Sequence, residues 1–124
     1  MTLKGGVAML VRVLIKRTVK REKEAALVDL VTKLRSLAST QPGYISGETM
    51  RSAYKPDKYL VISTWRSIAD WEKWFKSKKR STIQDKIDKL LGKKTAYEVY
   101  QYPEKSASLR KFKGYEGEAM ESGP

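Results

Sequence analysis

The chain contains no cysteine, no histidine and no asparagine. Without cysteine there can be no disulfide, no thiolate metal site and no cysteine nucleophile. Without histidine the commonest general base and metal ligand are missing, together with the usual axial ligand of a haem. A Ser-His-Asp triad is excluded for the same reason. No stretch approaches the ~18 consecutive apolar residues that span a bilayer. The apolar segment between Met1 and Arg12 is too short for a secretion signal, and basic residues follow it where a cleavage site would stand. The expected location is the cytoplasm, with no membrane partner. Neither G-x-x-x-x-G-K-[ST] nor G-x-G-x-x-G occurs, so no phosphate loop is expected. The acidic residues show no paired-carboxylate or EF-hand spacing.

What is present suits one folded domain. The 124 residues are 40% hydrophobic and 32% charged, and 10% are aromatic. A chain of this size buries roughly two thirds of its unfolded surface. The net charge of +12 is concentrated rather than spread. Residues 12–23 carry six basic side chains against Glu22, and residues 73–94 carry nine against Asp85 and Asp88. Residues 104–124 hold four of each sign and cancel. Such a surface either solubilises the chain or favours acidic partners.

Hydrophobic periodicity divides the chain. Residues 10–17 are short and β-branched, with Val11, Val13 and Ile15 on one strand face and Arg12, Leu14 and Lys16 on the other. Over residues 22–38 the spacing of Leu27, Leu30, Val31, Leu34 and Leu37 predicts an amphipathic helix, stopped by Pro42 and Gly43. Residues 44–53 and 59–65 predict a hairpin across the Lys55-Pro-Asp-Lys58 turn, with Gly47 marking a bulge or a close backbone approach. Ser67 reads as an N-cap for a helix carrying Ile68, Trp71 and Phe75, with Trp74 at its flank. Lys78-Lys-Arg80 is expected to interrupt. Ser81-Thr-Ile-Gln84 then reads as a capping box for a helix with Ile83, Ile87, Leu90 and Leu91, ending at Gly92. Residues 95–102 alternate like a last strand. The expected layout is an extension at 1–9, one domain at 10–103 and a mobile tail at 104–124.

The order β-α-β-β-α-(α)-β is the split βαβ, ferredoxin-like α+β arrangement, an antiparallel sheet with its helices on one face. Its other face would be bare. The strand at 59–65 is apolar on both sides, with Leu60 and Ile62 opposite Val61 and Trp65. A second copy of the chain is the simplest cover, so a homodimer is expected.

Four segments carry a resemblance. They are Gln41-Pro-Gly-Tyr44, Tyr59-Leu-Val-Ile-Ser-Thr-Trp65, the helix from Ser67 to Ser77 and Tyr97-Glu-Val-Tyr100. Over residues 10–103 they resemble the antibiotic biosynthesis monooxygenase family. The resemblance implies a dimeric α+β barrel and, among its activities, cofactor-free oxygenation of phenols and quinols. Trp74-Phe-Lys-Ser77 is similar to the haem-degrading branch, which places its haem-ligating histidine ten residues after that tryptophan. Gln84 stands there instead, and the asparagines of both branches have no counterpart. No cofactor is therefore expected, haem included.

The candidate site residues each have two readings. Trp65, Trp74 and Tyr44 either pack the interior or wall a pocket for a small planar aromatic ligand. Gln84 either caps a helix or offers a hydrogen bond in that pocket. Arg12 and Lys16 either solubilise an exposed face or stabilise a substrate phenolate or enolate before it reacts with O₂. The expected function is that of a cofactor-independent monooxygenase. The alternatives are a non-enzymatic ligand-binding or stress-response module of the same fold, and a basic nucleic-acid-binding protein. Against the last, the aromatic RNA-binding strand motif of ferredoxin-like RNA binders is absent.

Overall fold

In the computed structural model, residues 9–103 are described; the expectations for residues 1–8 and 104–124 lie outside them. Strand β1 spans Val11–Thr18 and is followed by a 3₁₀ turn at Arg21–Lys23 and helix α1 at Glu24–Ala38. Strands β2 (Tyr44–Arg51) and β3 (Lys58–Trp65) form the hairpin. Helices α2 (Ile68–Phe75) and α3 (Lys78–Leu91) precede strand β4 (Ala96–Gln101). The sheet is antiparallel in the order β2-β3-β1-β4, which is the ferredoxin-like α+β topology. Among the described residues no helix is long and apolar enough to cross a membrane.

Register decides which side chains share a face. Val13 pairs with Ser63 and Val99, and Ile15 with Val61 and Tyr97; these face the helices. Leu14 pairs with Ile62 and Glu98 on the opposite face. On the helix side the apolar residues form two clusters. One gathers Val11, Val13, Ala38, Trp65, Trp71 and Trp74. The other gathers Val19, Leu27 and Ile87 with partly buried α1 and α3 residues. Leu34 packs against both.

The turns follow their residues. Tyr44 N–H donates to the Gln41 carbonyl, with Pro42 second and Gly43 third at φ 85°. That left-handed position favours glycine. A Cβ on Gly43 would also collide with the Asp70 carboxylate, which accepts from the α2 cap Ser67. Gly92 is left-handed too (φ 66°), but a Cβ there meets nothing within 4 Å. We therefore expect Gly43→Ala to cost more than Gly92→Ala, with the latter near the lower end of the roughly 1–3 kcal/mol of left-handed strain. Urea unfolding of the two variants measures the difference, and equal losses would refute the clash. The bulge in β2 lies between Tyr44 and Ser46, and Gly47 is instead a close approach. A Cβ there would come 2.7 Å from the Tyr44 hydroxyl and 3.5 Å from Arg35 Nε.

One predicted boundary moves. Ser81 does not cap the third helix, which starts at Lys78 with Ser77 as N-cap, its Oγ accepting from Arg80 N–H at 3.2 Å. Lysine and arginine are good helix formers, so Lys78-Lys-Arg80 becomes the first turn rather than an interruption. Ser81 Oγ instead donates to the Lys78 carbonyl. Only Lys76 and Ser77 separate α2 from α3, which brings Trp74 and Arg80 to the same part of the interior.

Candidate functional site

Between the two apolar clusters lies a cavity of about 50 Å³, set between sheet and helices and partly open to the surface. Its lining includes Arg17, Arg35, Tyr44, Trp74, Arg80, Gln84 and Tyr97, with Trp71 and Ser63. Among the described residues three arginines and no carboxylate line it.

Arg17 follows Val11, Val13 and Ile15 on the inward face of β1, where strand alternation carries a cation into the interior; it is 6% exposed. Its Nε donates to Thr95 Oγ1 at 3.3 Å and its Nη2 to Gln84 Oε1 at 3.2 Å. Burial pulls its pKa below the ordinary arginine value; the nearby charges of Arg80 and Arg35 act in the same direction, while Tyr97 and Asp88 oppose. Arg80 is 8% exposed. Its Nε donates to the Phe75 carbonyl and its Nη1 to the Tyr97 hydroxyl, each at 2.8 Å. Its guanidinium lies 4.2 Å from the Phe75 ring centroid, a cation–π contact that replaces part of its lost hydration. Burial raises the Tyr97 phenol pKa, although Arg80 and Arg17 pull it down, so Tyr97 stays protonated at neutral pH. Arg35 reaches over β2 to donate to Thr49 Oγ1 at 2.6 Å. Among the described residues none of the three arginines is ion-paired; the two ion pairs there are the outlying Lys16–Glu98 and Arg51–Glu24.

The sequence candidates divide. Trp74, Tyr44 and Gln84 line the cavity. Trp65 is fully buried behind it, stacked on Trp74 with ring centroids 6.2 Å apart, and its place in the wall is taken by Trp71. Arg12 and Lys16 project from the opposite face of the sheet. Lys16 borders a second groove of about 630 Å³ between the outer sheet face and the end of α3, with Met50, Lys58, Leu60 and Lys94; Arg17 lines both groove and cavity. Arg17 and Arg80 were not among the candidates, although Arg17 continues the Val11-Val13-Ile15 alternation. Arg80 falls on the Ile83-Gln84-Ile87 helical stripe once α3 begins at Lys78.

Gln84 is engaged from both ends. Its Oε1 accepts from Arg17, and its Nε2 donates to Asp88 Oδ1 and Thr95 Oγ1, both at 2.8 Å. This network fixes Arg17 from α3. It also bears on haem. A carboxamide held by three partners, in a cavity of about 50 Å³, does not fit an axial ligand beside a macrocycle. Among the described residues no cluster of three histidine, cysteine or carboxylate residues could hold a metal.

An antiparallel four-stranded sheet with helices on one face and a cavity between them defines a ferredoxin-like α+β protein. The sequence places it further. The model of the antibiotic biosynthesis monooxygenase family matches residues 10–86, more than half of the chain, and the chain belongs to that family. No curated protein sequence matches it. Solved structures agree in fold. A conserved protein from Methanosarcina mazei is similar at 21% identity and TM-score 0.68, covering 74% of this chain and 91% of its own. SnoaB, a cofactor-independent oxygenase from Streptomyces nogalater, is similar at 15% identity and TM-score 0.67, covering 75% and 92%. At these identities the likeness speaks for the fold alone.

Proposed function

We propose that this chain is a cofactor-independent monooxygenase of small, planar, enolisable phenols or quinols, working as a cytoplasmic homodimer. The observation that carries the reading is the arginine-rich, carboxylate-free cavity walled by Trp74 and Tyr44. In such a reaction the substrate supplies every electron. In an anthrone-type phenol, whose keto tautomer carries a ring methylene, that methylene becomes a carbonyl, one atom of O₂ entering it and the other leaving as water with the two hydrogens. The step that needs help is formation of the electron-rich phenolate or enolate. Preorganised cations in a water-poor site lower that barrier most effectively. The cavity offers Arg17 and Arg80 for this role, which the sequence alone suggested for Arg12 or Lys16. Gln84 positions Arg17, and Trp74 stacks on the ring. The cavity is smaller than the ~150 Å³ that takes a single benzene. A ring therefore needs added room, which movement of the half-buried Tyr44 and Arg35 side chains beside Gly47 would supply.

The dimer rests on the outer sheet face. Leu14, Leu60 and Ile62 are partly exposed there, beside Met50 (51% exposed) and Tyr100 (54%). A second copy related by a two-fold axis covers such a face with itself.

The test is oxygen uptake by purified protein with a panel of anthrone-type phenols and quinols, without added cofactor. One O₂ consumed per substrate oxidised is expected, with uptake reduced at least about tenfold in a folded Trp74→Ala variant. Saturable quenching of the buried tryptophans without oxygen uptake would instead identify a ligand-binding module of this fold.

A further inference from the structure

The buried guanidiniums say more about the ligand than its ring shape. Arg17 uses two of its five N–H donors, on Thr95 and Gln84. Arg80 likewise uses two, on Phe75 and Tyr97. The remaining donors of two cations, each more than nine-tenths buried, have no acceptor among the described residues. Asp88 is the near acid; its charge acts on Arg17 from behind Gln84 and Thr95, but it forms no ion pair with either guanidinium. A buried cation without a directly paired anion is costly, and stability alone does not retain two of them. Arg35 adds a third positive charge on the α1 side of the same cavity.

We infer that the cavity is a carboxylate site, and that its natural ligand is a small aromatic acid whose carboxylate is held between Arg17 and Arg80. Planar guanidiniums match a carboxylate through paired N–H···O bonds. A carboxylate is ionised throughout the neutral range, whereas a simple phenol, with a pKa near 10, arrives uncharged. The cavity as it stands has room for such a head group. The ring then lies toward Trp74, Tyr44 and Gly47. The inference rests on the interior cavity being the ligand site, as in the oxygenase reading, and narrows that reading to acidic substrates.

Matched probes test it. Binding of 4-hydroxybenzoate and of its neutral isostere 4-hydroxybenzamide is measured by tryptophan quenching at fixed ionic strength. The wild type, Arg17→Gln, Arg80→Gln and the surface control Lys93→Gln/Lys94→Gln are compared. The acid is expected to bind at least tenfold more tightly than the amide. Either arginine variant should remove most of that preference, and the surface control should keep it. Equal binding of acid and amide overturns the inference, as does a preference that survives in both arginine variants or vanishes in the control. Should an arginine variant fail to fold, as judged by circular dichroism, the wild-type pair and the control decide. The two readings fail separately. Acid-selective binding without oxygen uptake by any acidic phenol removes the oxygenase and keeps the carboxylate site. Oxygen uptake from neutral quinols with no preference for the acid does the reverse.

Discussion

Trp65→Ala is expected to cost about 3–5 kcal/mol, a large share of the roughly 5–15 kcal/mol that holds a domain together. Trp65 is fully buried at the end of β3. It stacks on Trp74, meets Trp71 and Tyr44 edge-on, and donates from its indole nitrogen to Ser63 Oγ at 2.8 Å. Alanine removes the ring from the centre of the larger cluster and leaves the Ser63 hydroxyl without that donor. The effect separates two roles that the sequence could not. A cavity-wall residue can be truncated with loss of ligand binding and little loss of stability. Trp65 should lose stability first, and Trp65→Phe should recover much of it. Urea denaturation followed by circular dichroism measures the loss. A cost below about 1 kcal/mol would contradict the packing described here.

Ile62→Lys is expected to convert a dimer into a folded monomer. Ile62 sits on the outer face of the central strand β3, paired with Leu14 of β1 and Glu48 of β2. A lysine in the middle of a two-fold interface buries a charge in each copy. An unpaired buried charge costs about 3–5 kcal/mol, so the dissociation constant should rise at least about a hundredfold. In a monomer the same lysine lies on a solvated sheet face and should leave the fold intact. Sedimentation velocity at micromolar concentration reads the outcome. A monomeric wild type would refute the dimer, and a dimeric Ile62→Lys would move the interface off this face.

The strand and helix order was legible because each element carries its own period. Val11, Val13 and Ile15 alternate, and Leu27, Leu30, Val31 and Leu34 follow helical spacing, so local pattern and tertiary burial agree. The start of α3 was less legible. The sequence reading took Ser81, with a glutamine three residues on, as the cap, whereas the structure caps the helix at Ser77. That choice put Arg80 in a loop, whereas one turn earlier it lies on the buried stripe. Trp74, Tyr44 and Gln84 could be placed near a pocket because their residue types mark such positions. Arg17 could not, because a cation is read as a surface residue until the strand register turns it inward. Arg12 and Lys16 show the same ambiguity with the opposite outcome, one residue away on the other face.

The interior is two oily regions parted by a charged layer, with Leu34 common to both. Arg17 enters that layer from the sheet and Arg80 from a helix. An anion held by both would tie the two layers of the fold together. Ligand capture and the mechanical stiffness of the domain would then become one property, with the filled protein resisting shear between helices and sheet more than the empty one.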